Sequence, residues 1–217
     1  MSSTRVLRRV ALPALPLALH AVSEARAQIV YTNPVDATVT TNGTTIWFDV
    51  DGNAGGSPVR TSYFAGSDFG IYLKSSGSNP YALANSNNRF FTQTAGLGAT
   101  AVRYAAGAFI NGSAVANLDG FIHNGTNAGD WDLGDTGFLG LRLSVGGVSH
   151  FGWAQITYGS DGSLTLHDFA YELSPNTPIQ AGAVPEPAAS AALAGLLAGS
   201  VALYRRRKTT KNLAVEK

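Results

Sequence analysis

The segment around Asp49 has residue types and a spacing that suit a divalent cation. Asp49, Asp51 and Asn53 place oxygen donors at alternate positions, and Gly52 allows the chain to bend between them. Calcium takes six to eight oxygen ligands, and an EF-hand loop ends in a bidentate Glu at its twelfth position. That position, counted from Asp49, is Arg60, so the segment is not an EF-hand. It predicts either a calcium site of another kind or a solvated turn.

A second acidic segment has three carboxylates within six residues, contributed by Asp130, Asp132 and Asp135. Like charges packed together destabilise a fold unless water or a cation neutralises them. The same two interpretations therefore apply, a solvated turn or a calcium site. Calcium is the one cofactor that the sequence suggests.

Three tryptophans are the residues best suited to stacking against a sugar. Trp131 lies among the acidic residues of the second segment, so we expect its ring to be exposed and able to bind a ligand. Trp47 and Trp153 lie in apolar runs, and aromatic rings in a β-protein are mostly core because each buries a large area. Trp153 is the strongest core candidate.

The sequence contains no recognisable catalytic constellation. His123, His150 and His167 are scattered outside any HExxH motif, and we expect each to lie at the surface or in a turn. The chain has no cysteine, no Gly-x-Ser-x-Gly elbow and no P-loop. No motif places two carboxylates across a cleft as glycoside hydrolysis requires. We therefore expect a protein that is not an enzyme.

The elements that carry these residues are short strands. Leu139, Leu141 and Leu143 alternate with polar or small residues, a pattern that buries one face of a strand and wets the other. Predicted strands span residues 44–49, 69–74, 89–94, 138–145, 151–158 and 163–172, and turn pairs such as Gly146-Gly147 and Asp161-Gly162 separate the last three. The spacing predicts an all-β fold, an antiparallel β-sandwich of jelly-roll type.

The charge of this middle region limits its partners. Residues 28–182 contain five basic and eleven acidic side chains, a difference of −6, while the remaining ten basic residues lie in the two ends. Nucleic acid is bound through a basic face, so we expect no nucleic-acid partner.

Residues 1–27 have the three parts of a secretory signal peptide. Three arginines precede an apolar stretch of about ten residues, which is too short to span a bilayer. Ala25 and Ala27 are the small residues expected at the −3 and −1 positions of a cleavage site. The segment implies passage through Sec-type export machinery.

The other end has a three-part order: Val184-Pro185-Glu186-Pro187, an uncharged apolar run over residues 188–204, and a basic cluster that opens with Arg205, Arg206 and Arg207. As a helix the run would reach about 25 Å, the short end of a membrane span. Basic residues stay on the cytoplasmic side, so residues 205–217 would form a cytoplasmic tail and the folded domain would lie outside.

This three-part end resembles the PEP-CTERM sorting signal of Gram-negative bacteria, over about the last 34 residues. The resemblance implies recognition by an exosortase-like membrane protease, transient residence in the inner membrane, and delivery to the cell surface, often beside exopolysaccharide. The chain departs from the pattern by continuing from Thr209 to Lys217. The tract from Gly137 to Glu172 is similar to the last part of many such exported proteins, which implies a β-sandwich ectodomain without a known activity.

The sequence thus predicts five segments: a signal peptide (1–27), a β-sandwich ectodomain (28–174), a proline-rich linker (175–187), a transmembrane helix (188–204) and a basic tail (205–217). We expect an exported surface or extracellular-matrix protein with a structural or adhesive role. The alternative is a carbohydrate-binding module or a glycan-active protein of jelly-roll type.

Overall fold

The computed structural model describes residues 28–33, 36–40, 42–73, 79–96, 98–124 and 131–185. These residues form fifteen strands: β1 (Ile29–Thr32), β2 (Ala37–Val39), β3 (Thr45–Phe48), β4 (Val59–Arg60), β5 (Phe69–Leu73), β6 (Pro80–Ala84), β7 (Arg89–Thr92), β8 (Arg103–Tyr104), β9 (Phe109–Ile110), β10 (Val115–Asn117), β11 (Asp119–Phe121), β12 (Thr136–Val145), β13 (Val148–Tyr158), β14 (Leu164–Glu172) and β15 (Ile179–Gln180). The same ranges contain no helix, so the all-β prediction is confirmed.

The strands form three antiparallel sheets. The largest has eight strands in the order β1-β14-β13-β12-β7-β10, with β2 also paired to β14 and β8 to β12. The second has five strands in the order β11-β6-β5-β3-β4, and the third pairs β15 with β9. No helix within the described ranges is long and apolar enough to cross a membrane. The helix predicted over residues 188–204 lies outside those ranges.

The six strands predicted from periodicity are all present, with ends shifted by up to three residues. The three consecutive antiparallel strands of the last third are β12, β13 and β14. Gly146 and Gly147, with φ of 59° and 83°, form the two-residue turn between β12 and β13. Positive φ at both central residues is what a type I′ hairpin turn requires, and glycine adopts it without steric cost.

One apolar core is shared by the two large sheets. The Phe48 ring of the five-stranded sheet lies 5.4 Å from the Phe169 ring of the eight-stranded sheet, and Phe69 lies 4.9 Å from Phe90 in the same way. Leu139, with its period-two neighbours on β12, is fully buried in this cluster. Burying such side chains is the dominant favourable term in folding, which is why the alternating pattern predicted these strands well.

A second apolar cluster lies on the opposite face of the eight-stranded sheet, where the alternation predicted a wet surface. It contains Phe138, Phe151 and Trp153, and the β9–β15 pair packs over it with Ile110 and Ile179. That prediction is wrong because the middle of β12, β13 and β14 is covered on both faces. Trp153 is buried as predicted, but in this second cluster.

The predicted linker over residues 175–187 contains part of the fold. Ile179 pairs with Ile110 and is buried, Ala181 is buried, and the Trp153 Nε1 donates to the Ala183 carbonyl oxygen at 3.2 Å. The domain end predicted at residue 174 therefore falls short of the end of the fold. A two-residue strand has no periodicity that could reveal it in the sequence.

Candidate metal and ligand sites

Three aspartates meet where two neighbouring strands of the five-stranded sheet end and begin. Asp49 directly follows β3, Asp68 directly precedes β5, and the pairing of Phe48 with Phe69 brings these two positions together. Asp51 completes the group, and one oxygen of each carboxylate lies within 4.8 Å of the others. Asp49 and Asp68 are buried, whereas Asp51 is half-buried. We call these three residues the aspartate cluster.

Main-chain and amide N–H groups hold the buried carboxylates in place. Asp49 accepts from the Gly52 N–H at Oδ1 and from the Ala54 N–H at Oδ2, both at 2.9 Å. Asp68 accepts from the Val50 N–H at Oδ2 and from the Asn88 Nδ2 at Oδ1, both at 2.8 Å. The 49–54 loop is therefore built around these two side chains. Asp68 Oδ2 also accepts from the Asp51 N–H, at 3.3 Å. The other three bonded oxygens each still have a second lone pair with which they can ligate a metal ion.

The electrostatics of the cluster disfavour three negative charges. Burial, the largest cause, and the nearby charges of Asp51 and Asp49 together raise the pKa of Asp68 from its ordinary 3.8 to about 6. Burial is also the main cause that raises the pKa of Asp51, and its contact with Asp49 adds to it. None of the ion pairs found within the described ranges involves these carboxylates. A cation bound here would relieve the repulsion.

The sequence identified part of this cluster. Asp49 and Asp51 lie together as predicted, but the Asn53 amide nitrogen donates to Asp51 Oδ2 at 2.9 Å. Asn53 thus supports Asp51 in this structure. Asp68 was not predicted, because only the pairing of β3 with β5 brings it near, and no local pattern in the sequence indicates that pairing.

The second acidic segment has a different arrangement. Asp130 lies outside the described residues. Asp135 accepts from the Asp132 main-chain N–H at 2.8 Å, and its other oxygen lies 3.3 Å from the Arg103 guanidinium. Arg103 therefore supplies a positive charge to Asp135, whose segment the sequence predicted to be either a solvated turn or a calcium site.

The prediction of an exposed, ligand-binding Trp131 is wrong. Its side chain is 0% exposed and belongs to the main core. Its main-chain carbonyl oxygen lies 2.7 Å from His123 Nδ1, which holds the segment against the fold. The apolar area gained by burying an indole ring outweighs the polarity of the neighbouring aspartates.

Other aromatic side chains lie on the outer face of the five-stranded sheet. Strand register places Tyr72, Tyr81 and Phe121 side by side, with ring centroids 5.3 Å apart for the tyrosines and 4.0 Å apart for Tyr81 and Phe121. Trp47 lies one row further along and contacts Tyr63 edge-on at 5.1 Å. We call these five residues the aromatic face.

The aromatic face is accessible to a ligand. Tyr63 is 60% exposed, and the other four members are partly exposed. The Trp47 ring packs against Gly70, where a Cβ atom would come within 2.9 Å of it. The absence of a side chain at Gly70 thus leaves room for the indole ring to pack against the sheet.

A cavity of about 410 Å³ opens beside the last two rings of this face. Its aromatic walls are Tyr81 and Phe121, and its polar groups are the Asp119 carboxylate and the Asn124 side chain. Apolar walls with a few polar groups are the usual composition of a small-ligand site.

The histidines are held in hydrogen bonds. His150 is buried, with Nδ1 2.9 Å from the Glu172 carbonyl oxygen, so the expectation of a surface position was wrong for this residue. His167 is the extra residue of a bulge in β14, with Nδ1 2.9 Å from Asp36 Oδ1 and Nε2 2.7 Å from Thr157 Oγ1. The order acid, imidazole, hydroxyl is that of a hydrolase triad. Here the Thr157 hydroxyl is also hydrogen-bonded to the Thr136 hydroxyl. This row of hydrogen bonds therefore links β14, β13 and β12 across the sheet.

The predicted processing residues fall mostly beyond the described ranges. Ala25, Ala27, Glu186, Pro187 and the cluster of Arg205, Arg206 and Arg207 lie outside them. Val184 is described, and its side chain is 48% exposed where the chain leaves the fold. The predicted sorting motif therefore begins at the surface.

No family model matches the chain, and neither curated proteins nor solved structures provide a match.

Proposed function

We propose that this chain is an exported surface or extracellular-matrix protein, delivered through a signal peptide and a PEP-CTERM-type tail, with a structural or adhesive role and no enzymatic activity. We propose that its folded part is a β-sandwich of jelly-roll type, and the support for this is that two antiparallel sheets share one core. The observation that carries the proposal is the order of Val-Pro-Glu-Pro, apolar run and arginine cluster, which begins four residues after the end of β15.

Mass spectrometry of both chain ends in a Gram-negative host with an exosortase tests delivery. We expect a surface form that begins at Gln28 and ends near Pro187, because the two terminal segments are signals that membrane proteases read. Replacing Arg205, Arg206 and Arg207 by alanine should leave the first cut intact and prevent the second. A surface form that is intact through Lys217 would contradict sorting, and a cytosolic form that keeps Met1 would contradict export.

The aromatic face favours carbohydrate binding as a second candidate function. The C–H groups on one side of a hexose ring form an apolar surface that fits a flat aromatic ring. The face offers five such rings, and the cavity beside it adds Asp119 and Asn124 as polar partners. We propose a neutral polysaccharide as the ligand, because an anionic polymer would meet Asp119 and a region with an excess of six acidic residues.

Affinity electrophoresis of the full-length chain tests this binding, in gels that contain hydroxyethylcellulose, laminarin, galactomannan or alginate. We expect at least one neutral polymer to slow migration, and Tyr81→Ala or Tyr63→Ala to weaken that binding by about tenfold, the upper end for an aromatic contact. Phe109→Ala is the matched control, because Phe109 is 61% exposed on β9, away from this face. Stronger retardation by alginate than by the neutral polymers would reject the site. Failure of every neutral polymer to slow migration would also reject it.

We also propose that the aspartate cluster binds calcium. Its support is that three carboxylate oxygens lie within 4.8 Å of one another, at a place where burial, and then repulsion from Asp51 and Asp49, raises the pKa of Asp68. Calcium should raise the melting temperature of the full-length chain relative to a sample with chelator. An unchanged melting temperature would remove the proposal.

A further inference from the structure

Glu172 is a fully buried carboxylate that lacks a complete set of partners. Its side chain is 0% exposed at the end of β14. Oε1 accepts from the main-chain N–H groups of Gln28, at 3.1 Å, and Ser174, at 2.9 Å. Oε2 is buried and has no hydrogen-bond partner, and none of the ion pairs within the described ranges involves this residue. An unpaired buried charge is strongly destabilising.

Gln28, whose main-chain N–H donates to Glu172, is the residue that follows the predicted signal-peptide cut. Strand β1 holds it in position: Ile29 pairs with Glu172, and the Gln28 carbonyl oxygen accepts from the Leu173 N–H at 2.8 Å. The register of β1 on β14 therefore places the Gln28 nitrogen beside the Glu172 carboxylate. In the uncut chain this nitrogen is a neutral peptide N–H with a single proton to donate.

We propose that removal of residues 1–27 completes the Glu172 site by creating a buried ion pair. This inference rests on the proposed export. Hydrolysis of the Ala27–Gln28 amide consumes one water, leaves a carboxylate on Ala27 and frees the Gln28 nitrogen as an amine. At neutral pH that amine takes up a proton, because α-amino groups have a pKa near 8. The resulting ammonium has three donors and a positive charge next to the Glu172 carboxylate.

This ion pair makes removal of the signal peptide a step that stabilises the folded domain. A charge-assisted hydrogen bond is about twice as strong as a neutral one, and the ammonium has spare donors that can reach the unpartnered Oε2. The mature domain is then more stable than its precursor, although the two have the same strands. The first residue of the mature chain is fastened to the end of the last long strand.

A stability comparison of five forms of the exported full chain tests the inference, with urea unfolding as the measurement. Four forms are mature: the wild type, the Glu172→Gln variant, a chain with one serine inserted between Ala27 and Gln28, and a chain with both changes. The insertion keeps the processing signal but moves the ammonium by about 3.8 Å and leaves a peptide N–H at Gln28. The fifth form, the uncut chain of an Ala27→Tyr variant, shows the precursor.

We expect the wild type to have a folding equilibrium constant about tenfold higher than the serine insertion, the size of a charged hydrogen bond. In the Glu172→Gln background the insertion should have no effect. If Glu172→Gln does not fold, the wild type, the insertion and the uncut chain still give the comparison. Equal stability of these three would overturn the ion pair.

The chain end itself separates this inference from the proposed export. A surface form that begins at Gln28 but shows no dependence on the insertion overturns the ion pair alone. A first residue other than Gln28 also overturns it, as does a mass lower by one ammonia, since cyclised Gln28 has no charge. A chain that keeps Met1 overturns both proposals.

Discussion

Asp68 illustrates how much a single residue depends on a contact between distant parts of the chain. The alternate donors of Asp49, Asp51 and Asn53 were visible in the sequence, because the oxygens of a loop site follow each other closely. Asp68 entered the cluster only through the β3–β5 pairing. The prediction that Trp131 is exposed failed for the opposite reason: its sequence neighbours are polar, but its side chain lies in the core. Local composition predicts a loop and cannot say which of its side chains turns inward.

The raised pKa of Asp68 gives the metal-free protein a particular pH dependence. The folded state holds this proton with a pKa of about 6, against 3.8 in an ordinary carboxyl group. Its contribution to stability is therefore fully present below pH 3.8 and is lost as the pH rises through 6. In chelator, the free energy of unfolding should rise by up to about 3 kcal/mol from this group between pH 7 and pH 4.

Urea unfolding at several pH values measures this effect as the difference between wild type and Asp68→Asn. Asp161→Asn is the control, because Asp161 is exposed and lies in the 159–163 turn. Calcium should flatten or reverse the wild-type slope, since a bound cation favours the charged carboxylate. A difference between wild type and Asp68→Asn that does not change with pH would contradict the role of Asp68.

Among the elements, the long strands were predictable and the shortest were not. Strands β12 to β14 have nine to eleven residues each, enough for the period of two to repeat, and a Gly-Gly pair marks the first turn between them. Strands β9 and β15 have two residues each. Their positions are decided by the apolar surface of Phe138 and Trp153 that they cover, which no local pattern records.

Truncation measures what β15 contributes. Two chains that lack residues 1–27 should differ in stability if one ends after Ser174 and the other after Pro185. The shorter chain loses the buried Ile179 and Ala181 and exposes part of Trp153, so we expect its free energy of unfolding to be lower by about 3 kcal/mol. Equal urea midpoints would show that the fold ends at residue 174.

For the whole molecule, the sequence pattern predicted the class and topology remained out of reach. Short alternating runs separated by turn pairs indicated an all-β protein, and the described strands confirm it. The place of β1 beside β14 was not predictable, because these two strands pair across about 140 residues of intervening chain. The proposed roles of the two ends still depend on the sequence, and the experiments on processing decide them.

The small β9–β15 pair has a mechanical consequence. The described residues end at Pro185, shortly after the two-residue ladder of β15 with β9 and the hydrogen bond from Trp153 Nε1 to the Ala183 carbonyl oxygen. A pulling force applied beyond Pro185 would reach this ladder before it reached β14. The β9–β15 ladder would therefore separate first and take up the extension, while the two large sheets kept their strand pairing.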